Sequence, residues 1–288
     1  MNVTVIGDAF IDIIIPAEEI NLGETYHRKV ITLCGGTANV AIQLSNFITQ
    51  VQFIGKIGND VFGTYFKQNL SEKDVEPLLF VDYKNQTGLC TSLVYENGER
   101  TMIADRGAND YIEMNEIKNN IKDITKSKIV YFSGYSLISN LTSESILYAM
   151  QECHDKCEIW FNPGAPNIIK KEFKEIIRKY VNVLILNLDE AKNITGFNKL
   201  DDILKSLGDI VDVAVVTMGG DGCIISKKNK NITIKSEFLK ASDTTGAGDA
   251  FSAGYLFGRL QEMADVDCAK LGNETAAKLL MEKKVLLK

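Results

Sequence analysis

Asp243-Thr244-Thr245-Gly246-Ala247-Gly248-Asp249 is the stretch on which the reading of this chain turns. An apolar stripe follows at once. Ala250, Ala253, Gly254 and Phe257 fall at i, i+3, i+4 and i+7, the spacing of a helix with one buried face. A glycine turn therefore opens straight into a helix. The first amides of a helix have no internal partner, and the helix dipole is positive at that end. Gly246 and Gly248 let the backbone come close to an anion and aim its N–H groups at it. Asp249 falls in the first helical turn, where the dipole favours its ionised form. A carboxylate beside an anion hole suits phosphoryl transfer: the amides neutralise the migrating group, and the carboxylate accepts a hydroxyl proton. The same residues also read simply as a glycine loop with Asp249 as a helix-capping acid.

Outward from this motif, short apolar runs alternate with longer helical stretches. The runs are Val3–Ile6, Val51–Ile54, Ile129–Phe132, Ile159–Phe161, Val183–Leu186 and Val213–Thr217. Several are apolar throughout, as expected of strands covered on both faces. The stretches Thr37–Phe47, Val61–Lys73, Ser143–Cys153, Lys171–Val181 and Leu200–Leu207 read as helices. Strand–helix–strand alternation implies an α/β fold with a parallel sheet and right-handed crossovers. Two segments break the rhythm. Ile11–Thr32 and Gly88–Ile103 hold short strand-like pieces around a hairpin signal, Glu96-Asn97-Gly98-Glu99, and they predict a small antiparallel sheet outside the main one. That sheet either covers a site, pairs with another subunit, or is an ordinary decorated edge.

Four further segments carry candidate chemistry. In Cys34-Gly35-Gly36-Thr37-Ala38-Asn39, glycines precede a helix and Asn39 lies in its first turn, offering a donor and an acceptor to a polyhydroxy substrate. A tight turn is the simpler reading. Asp12 interrupts an apolar strand, where a charge is costly without a partner; it either binds substrate or sits in a buried structural salt bridge. Asn187-Leu188-Asp189-Glu190 follows an apolar run, at the strand end where open α/β sheets place their ligands. Asn187 and Glu190 could hold a hydrated Mg²⁺, or could be no more than a polar helix start. Thr217-Met218-Gly219-Gly220-Asp221-Gly222 ends another strand with glycines that admit a phosphate or a flat ligand, or that merely turn.

Composition narrows the classes. The 288 residues suit one large domain or two modest ones, with 45% hydrophobic and 24% charged residues, an ordinary globular balance. A formal net charge of −6 argues against nucleic acid as a partner. No apolar run is long enough to span a membrane, and the N-terminal run carries Asp8 and Asp12 without a basic leader, so it reads as a strand and not a signal peptide. Six cysteines at this length fit a reduced, cytoplasmic chain better than a disulfide scaffold. Cys153, His154 and Cys157 come nearest to a metal cluster, but His27 is the only other histidine, and a closed zinc site is not expected. Neither the G-x-x-x-x-G-K-[ST] phosphate loop nor a G-x-G-x-x-G dinucleotide fingerprint after the first strand is present.

Taken in order, the motifs resemble those of the ribokinase-like (PfkB-family) carbohydrate kinases, over essentially the whole chain. The ordered set is Gly7 and Asp12; Gly35 to Asn39; Gly55-Lys56-Ile57-Gly58-Asn59-Asp60-Val61-Phe62-Gly63; Arg100-Thr101 through Arg106-Gly107-Ala108-Asn109; Asn187 to Glu190; Thr217 to Gly222; and Asp243 to Gly254. The resemblance implies a single kinase domain over residues 1–288, a three-layer αβα sandwich with a mostly parallel sheet and a small β lid from about 11–33 and 88–105. It implies transfer of the ATP γ-phosphoryl group to a hydroxyl of a fructose-, ribose- or ketodeoxygluconate-like carbohydrate. A nucleoside (adenosine-like) acceptor, or an inactive sugar-binding protein, is the alternative. By the same resemblance Asp249 is the catalytic base, and the amides of Gly246, Ala247 and Gly248 form the anion hole. Asn187 and Glu190 organise Mg²⁺ through water. Thr217, Gly219 and Gly222 border the nucleotide, with Asn273 near the adenine. Asp12, Gly36, Asn39 and Arg106 reach the substrate or the transferring phosphate. A monovalent cation such as K⁺ and a homodimer through the lid strands belong to the same set of implications. Three departures stand out. Gly35 to Asn39 is one residue shorter than the common G-G-x-x-x-N form. Phe161 to Asn167 lacks a D-x-N-x-R pattern. The chain also ends soon after Asn273, in the region where some relatives place monovalent-cation carbonyls.

Overall fold

The computed structural model describes residues 2–17, 30–48, 50–95, 100–164, 168, 172–228, 230–236 and 244–286. The hairpin signal at 96–99, His27, Asp243 and residues 165–167 lie outside them.

A nine-stranded sheet organises the chain. Its strands are β1 (Val3–Ile6), β4 (Val51–Gly58), β5 (Val75–Asp82), β8 (Ile129–Ser133), β9 (Glu158–Asn162), β10 (Val183–Asn187), β11 (Val213–Thr217), β12 (Cys223–Lys227) and β13 (Lys230–Ile234). The spatial order is β13-β12-β11-β10-β9-β8-β1-β4-β5. The seven strands from β5 to β11 in this order run parallel, and β12 and β13 turn back antiparallel. The uninterrupted apolar runs have a plain cause: each face of the sheet has its own core. In β1 and β8, Val3, Val5, Ile129 and Tyr131 point to one side and Ile6, Val130 and Phe132 to the other. The first core lies under α1 (Ala38–Ser45), α2 (Val61–Glu72), α8 (Ala247–Leu260) and α9 (Asp265–Leu286). The second lies under α3 (Met114–Ile124), α4 (Asn140–Cys153), α5 (Phe173–Tyr180), α6 (Leu188–Thr195) and α7 (Leu200–Gly208). The result is the three-layer αβα sandwich.

The strands β2 (Ala9–Ala17), β3 (Ile31–Gly36), β6 (Gly88–Tyr95) and β7 (Arg100–Asp105) form a separate sheet in the order β3-β2-β6-β7. It is mixed and not antiparallel throughout. β2 pairs with β6 in parallel, because both follow the C-terminal ends of parallel strands, β1 and β5, while β3 and β7 return as antiparallel partners. Sequence periodicity finds β1 and β11 at their observed bounds but misses β5. There Glu76, Pro77 and Asp82 interrupt the apolar pattern of a strand whose residues are mostly half-buried.

Candidate active site

The turn Thr244 to Gly246 ends in the N-cap of α8, and Gly246 takes a left-handed conformation, φ 76°. A side chain at that φ would be strained, so glycine is what lets the turn enter the helix. The Ala247 amide donates to Thr244 O at 3.1 Å, a partner that the anion-hole expectation for this residue does not include. Gly248 and Asp249 lie in the first turn, where the helix supplies their amides no preceding carbonyl. Gly248 is exposed, and nothing lies within 4 Å of where a Cβ would sit.

Next to this helix end is a cleft of about 270 Å³, lined among others by Thr217, Gly219, Gly222, Ala247, Gly248 and Asn273. The glycine segment after β11, the start of α8 and the middle of α9, far apart in sequence, therefore share one cavity. The Nδ2 atom of Asn273 is buried and has no partner. Such a donor is costly unless something in the cleft accepts from it.

Asn187 and Glu190 form a reciprocal capping box at the start of α6. Asn187 Oδ1 accepts from the Glu190 amide at 2.9 Å, while the Glu190 carboxylate accepts from the Asn187 amide at 2.9 Å and from Asn187 Nδ2 at 2.6 Å. This is the helix-start reading, yet the site reading survives beside it. Burial, opposed by the Asn187 amide and reinforced by the charges of Asp189 and Asp249, pushes the Glu190 carboxyl up to about 7. Glu190 thus lies within the field of Asp249. Tyr131, on β8 beneath them, feels both carboxylates too: burial first, then Asp249, raises its hydroxyl.

On the small sheet, Asp12 lies over Gly35 on the neighbouring strand, so closely that a Cβ there would collide with its carboxyl. Gly36 takes φ 68° and turns the chain into α1, which begins at Ala38 and puts Asn39, half-buried, in its first turn. The shortened Gly35–Asn39 segment is thereby accommodated by one left-handed residue. Arg106 is held by carboxylates: Nη1 and Nη2 donate to Asp8 at 2.8 and 3.1 Å, and Nε donates to Asp110 at 2.6 Å. The sequence reading gave Asp8 no role. A pairing across nearly a hundred residues leaves no local trace, and only the oddity of an acid in an apolar run hints at it.

The Gly55–Gly63 segment is structural. Lys56 reaches Tyr111 O at 2.7 Å and Glu116 at 2.9 Å, and Asp60 caps α2 through the Gly63 amide at 2.7 Å. Finally, Arg100 at the start of β7 donates through Nη1 to Thr245 Oγ1. This contact joins the small sheet to the turn before α8. Cys153, His154 and Cys157 do not assemble a metal site: among the described residues no group of three His, Cys, Asp or Glu side chains is placed to hold an ion.

The chain belongs to the PfkB family of carbohydrate kinases, whose profile matches residues 1–285. Its members are phosphotransferases with an alcohol group as acceptor. An uncharacterized sugar kinase of Archaeoglobus fulgidus is 27% identical over 238 residues, covering 82% of this chain and 94% of that one. A probable sugar kinase from Rhizobium etli superposes with a TM-score of 0.89 at 23% identity, over 97% of this chain and 93% of that one. Adenosine kinase from Sinorhizobium meliloti superposes with a TM-score of 0.87 at 24% identity, over 96% and 92% of the two chains. The ribokinase-like fold is common to all of these. Among the described residues no helix is long and apolar enough to cross a membrane.

Proposed function

We propose that the protein transfers the γ-phosphoryl group of ATP to a hydroxyl of a small carbohydrate, fructose-, ribose- or ketodeoxygluconate-like. The observation that carries this reading is the α8 start. It puts Asp249 and the Gly248 amide on one helical turn, beside a cleft whose rim comes from Thr217, Gly219 and Gly222 and whose wall holds the unpartnered Asn273 amide. The cleft takes the nucleotide, with Asn273 Nδ2 donating to it. The acceptor lies on the other side of the Thr244–Gly246 turn, bound by Asp12, Gly36 and Asn39. Arg106 is committed to Asp8 and Asp110, so its role is to shape the floor of that pocket. The small sheet acts as a lid, latched by Arg100 on Thr245.

In the transfer step Asp249 accepts the proton of the acceptor hydroxyl as its oxygen attacks the γ-phosphorus, and the first-turn amides of α8 carry the charge that builds on the phosphoryl oxygens. Asn187 and Glu190 suit a hydrated divalent ion, since a cation would relieve the crowding of Glu190, Asp189 and Asp249 while the capping box leaves no side chain free for direct ligation. Mg²⁺ held there would neutralise the phosphates of ATP.

A nucleoside acceptor is the second reading. Phe10 is on the same face of β2 as Asp12, with its ring edges facing Gly36 and Gly88, and could stack on a base. A coupled assay of ADP release across sugars and nucleosides, with Asp249→Ala as control, tests both. Release with a sugar that vanishes in the variant supports the first reading, and release confined to nucleosides supports the second. No acceptor-dependent release at all would refute the kinase reading.

A further inference from the structure

The chain crosses between the two sheets at Asp8–Ala9, Gly36–Thr37, Thr87–Gly88 and Asp105–Asn109, and one side chain touches the backbone of the first crossing, abuts the third and belongs to the fourth. Asn109 is fully buried. Its Oδ1 accepts from the Ala9 amide at 2.7 Å, and its Nδ2 donates to Ala9 O at 3.0 Å and to Arg106 O at 2.9 Å. Both polar backbone groups of Ala9, the first residue of β2, are thus satisfied by one carboxamide. Gly88, the first residue of β6, lies against the same Nδ2 so closely that a Cβ would collide with it. The Ala108 amide donates to Gln86 O at 2.7 Å, just before that crossing. From behind, Thr142 Oγ1 on α4 donates to Asn109 O at 2.9 Å. Asp8, next to Ala9, is held on its other side by Thr37, through its amide at 3.2 Å and its carbonyl at 3.1 Å.

We propose that Asn109 is a positioning residue for the phosphoryl acceptor: by clamping Ala9 it fixes the root of β2 and hence the place at which Asp12, three residues on, meets the substrate. The inference rests on the acceptor role proposed for Asp12. Only a side chain with both donor and acceptor can make this clamp. An apolar replacement leaves a buried N–H and a buried C=O unmet, and β2 then has to shift to find partners. The nucleotide cleft, built from β11, α8 and α9, has no part in the clamp. The effect therefore falls on one substrate only.

Steady-state kinetics of Asn109→Ala and Thr142→Val, with acceptor and ATP varied separately, test this. Thr142→Val removes two buried hydrogen bonds on the same loop, to Asn109 O and from the Ile112 amide, without touching Ala9. The clamp predicts that Asn109→Ala raises the KM for the acceptor at least tenfold while the KM for ATP stays within twofold, and that Thr142→Val leaves both KM values within twofold although it lowers the melting temperature. Equal acceptor KM values in the two variants, or a matching rise in the KM for ATP, would overturn it. Should Asn109→Ala not fold, or should the unmodified enzyme accept no substrate, native-state hydrogen exchange of the unmodified protein decides instead. An Ala9 amide protected to within tenfold of Val5 and Ile6 supports the clamp, and faster exchange at Ala9 refutes it. A failure of the kinase reading would leave that exchange result standing on its own.

Discussion

Arg106 and Asp8 meet in a two-pronged ion pair, 2.8 and 3.1 Å, at the seam between the large sheet and the small one. Asp8 is buried, and Ser136 approaches the same carboxylate at 3.5 Å. Burial raises the Asp8 carboxyl more than the guanidinium lowers it, while the flanking carboxylates outweigh burial at Arg106 and raise its pKa. The pair is thus expensive to expose singly and serves as a fixed part of the seam.

Removing Arg106 strands Asp8, whereas removing Asp8 leaves Arg106 still paired with Asp110. Arg106→Ala should lower unfolding stability by about 3–5 kcal/mol, the usual cost of orphaning one half of a buried pair, and Asp8→Ala by less. The double variant should be less destabilised than the sum of the two. Urea unfolding of the three variants checks this, and additive losses would show that the two groups act independently.

Asp249→Ala should reduce turnover by about 10²–10⁴-fold, the usual scale for loss of a general base. The helix should persist, since Asp249 is one residue in the first turn of a 14-residue helix. Binding of a non-hydrolysable ATP analogue, followed by calorimetry, should survive. Near-normal turnover in this variant would remove Asp249 from the chemistry.

Gly248→Val tests the amides rather than the acid. Because no atom lies within 4 Å of the position a Cβ would take, the fold should accept the side chain, with a melting temperature close to that of the parent. The added methyls would occupy the space claimed by the migrating phosphate, and turnover should fall by at least about tenfold, the scale of losing one oxyanion donor or less. Retained transfer would refute the backbone-amide role.

Glu190 predicts a pH limb. With its carboxyl raised to about 7, it loses its charge as pH falls through neutrality. If the charge is needed near the phosphates, kcat/KM should decline below about pH 7 in the parent, and Glu190→Gln should be slow but lack that limb. The stability sign runs the other way. A carboxyl raised in the folded state favours folding at acid pH, and that contribution is lost as pH rises from about 4.5, the unfolded value, to about 7. Melting temperature against pH, parent against Glu190→Gln, separates the two effects.

The latch between Arg100 and Thr245 is exposed, so its contribution should be small. Thr245→Val should raise the acceptor KM by a few-fold, in line with about 0.5–1.5 kcal/mol for one hydrogen bond. An unchanged KM would mean that the two sheets close without it.

Much of the site was legible where its signal is local. The glycines before α8, the Asn187–Glu190 spacing and the glycines after β11 each mark a strand end or a helix start, and the structure forms helix starts at Gly246 and Asn187. The sequence also left real ambiguities. It read Asn187 and Glu190 as either a helix start or a cation site; the side chains do cap α6, and Glu190 lies within the field of Asp249. The family resemblance carried Arg106 toward the substrate, and nothing local in the sequence marks the two acids that hold it. Asn109 was visible only as part of a motif, since its task is to satisfy a backbone a hundred residues earlier.

By itself, then, the order of residues determined the alternation of strands and helices, the both-sided burial of the sheet and the left-handed turn into α8, since these follow from periodicity and from glycine within a few residues. Only tertiary packing decided that Asp8 meets Arg106, that Asn109 closes on Ala9, that β2 and β6 run parallel, and that Arg100 brings the small sheet onto the Thr245 turn. Those are contacts between distant segments. Each depends on burial and directed hydrogen bonds that exist only after the αβα layers have packed.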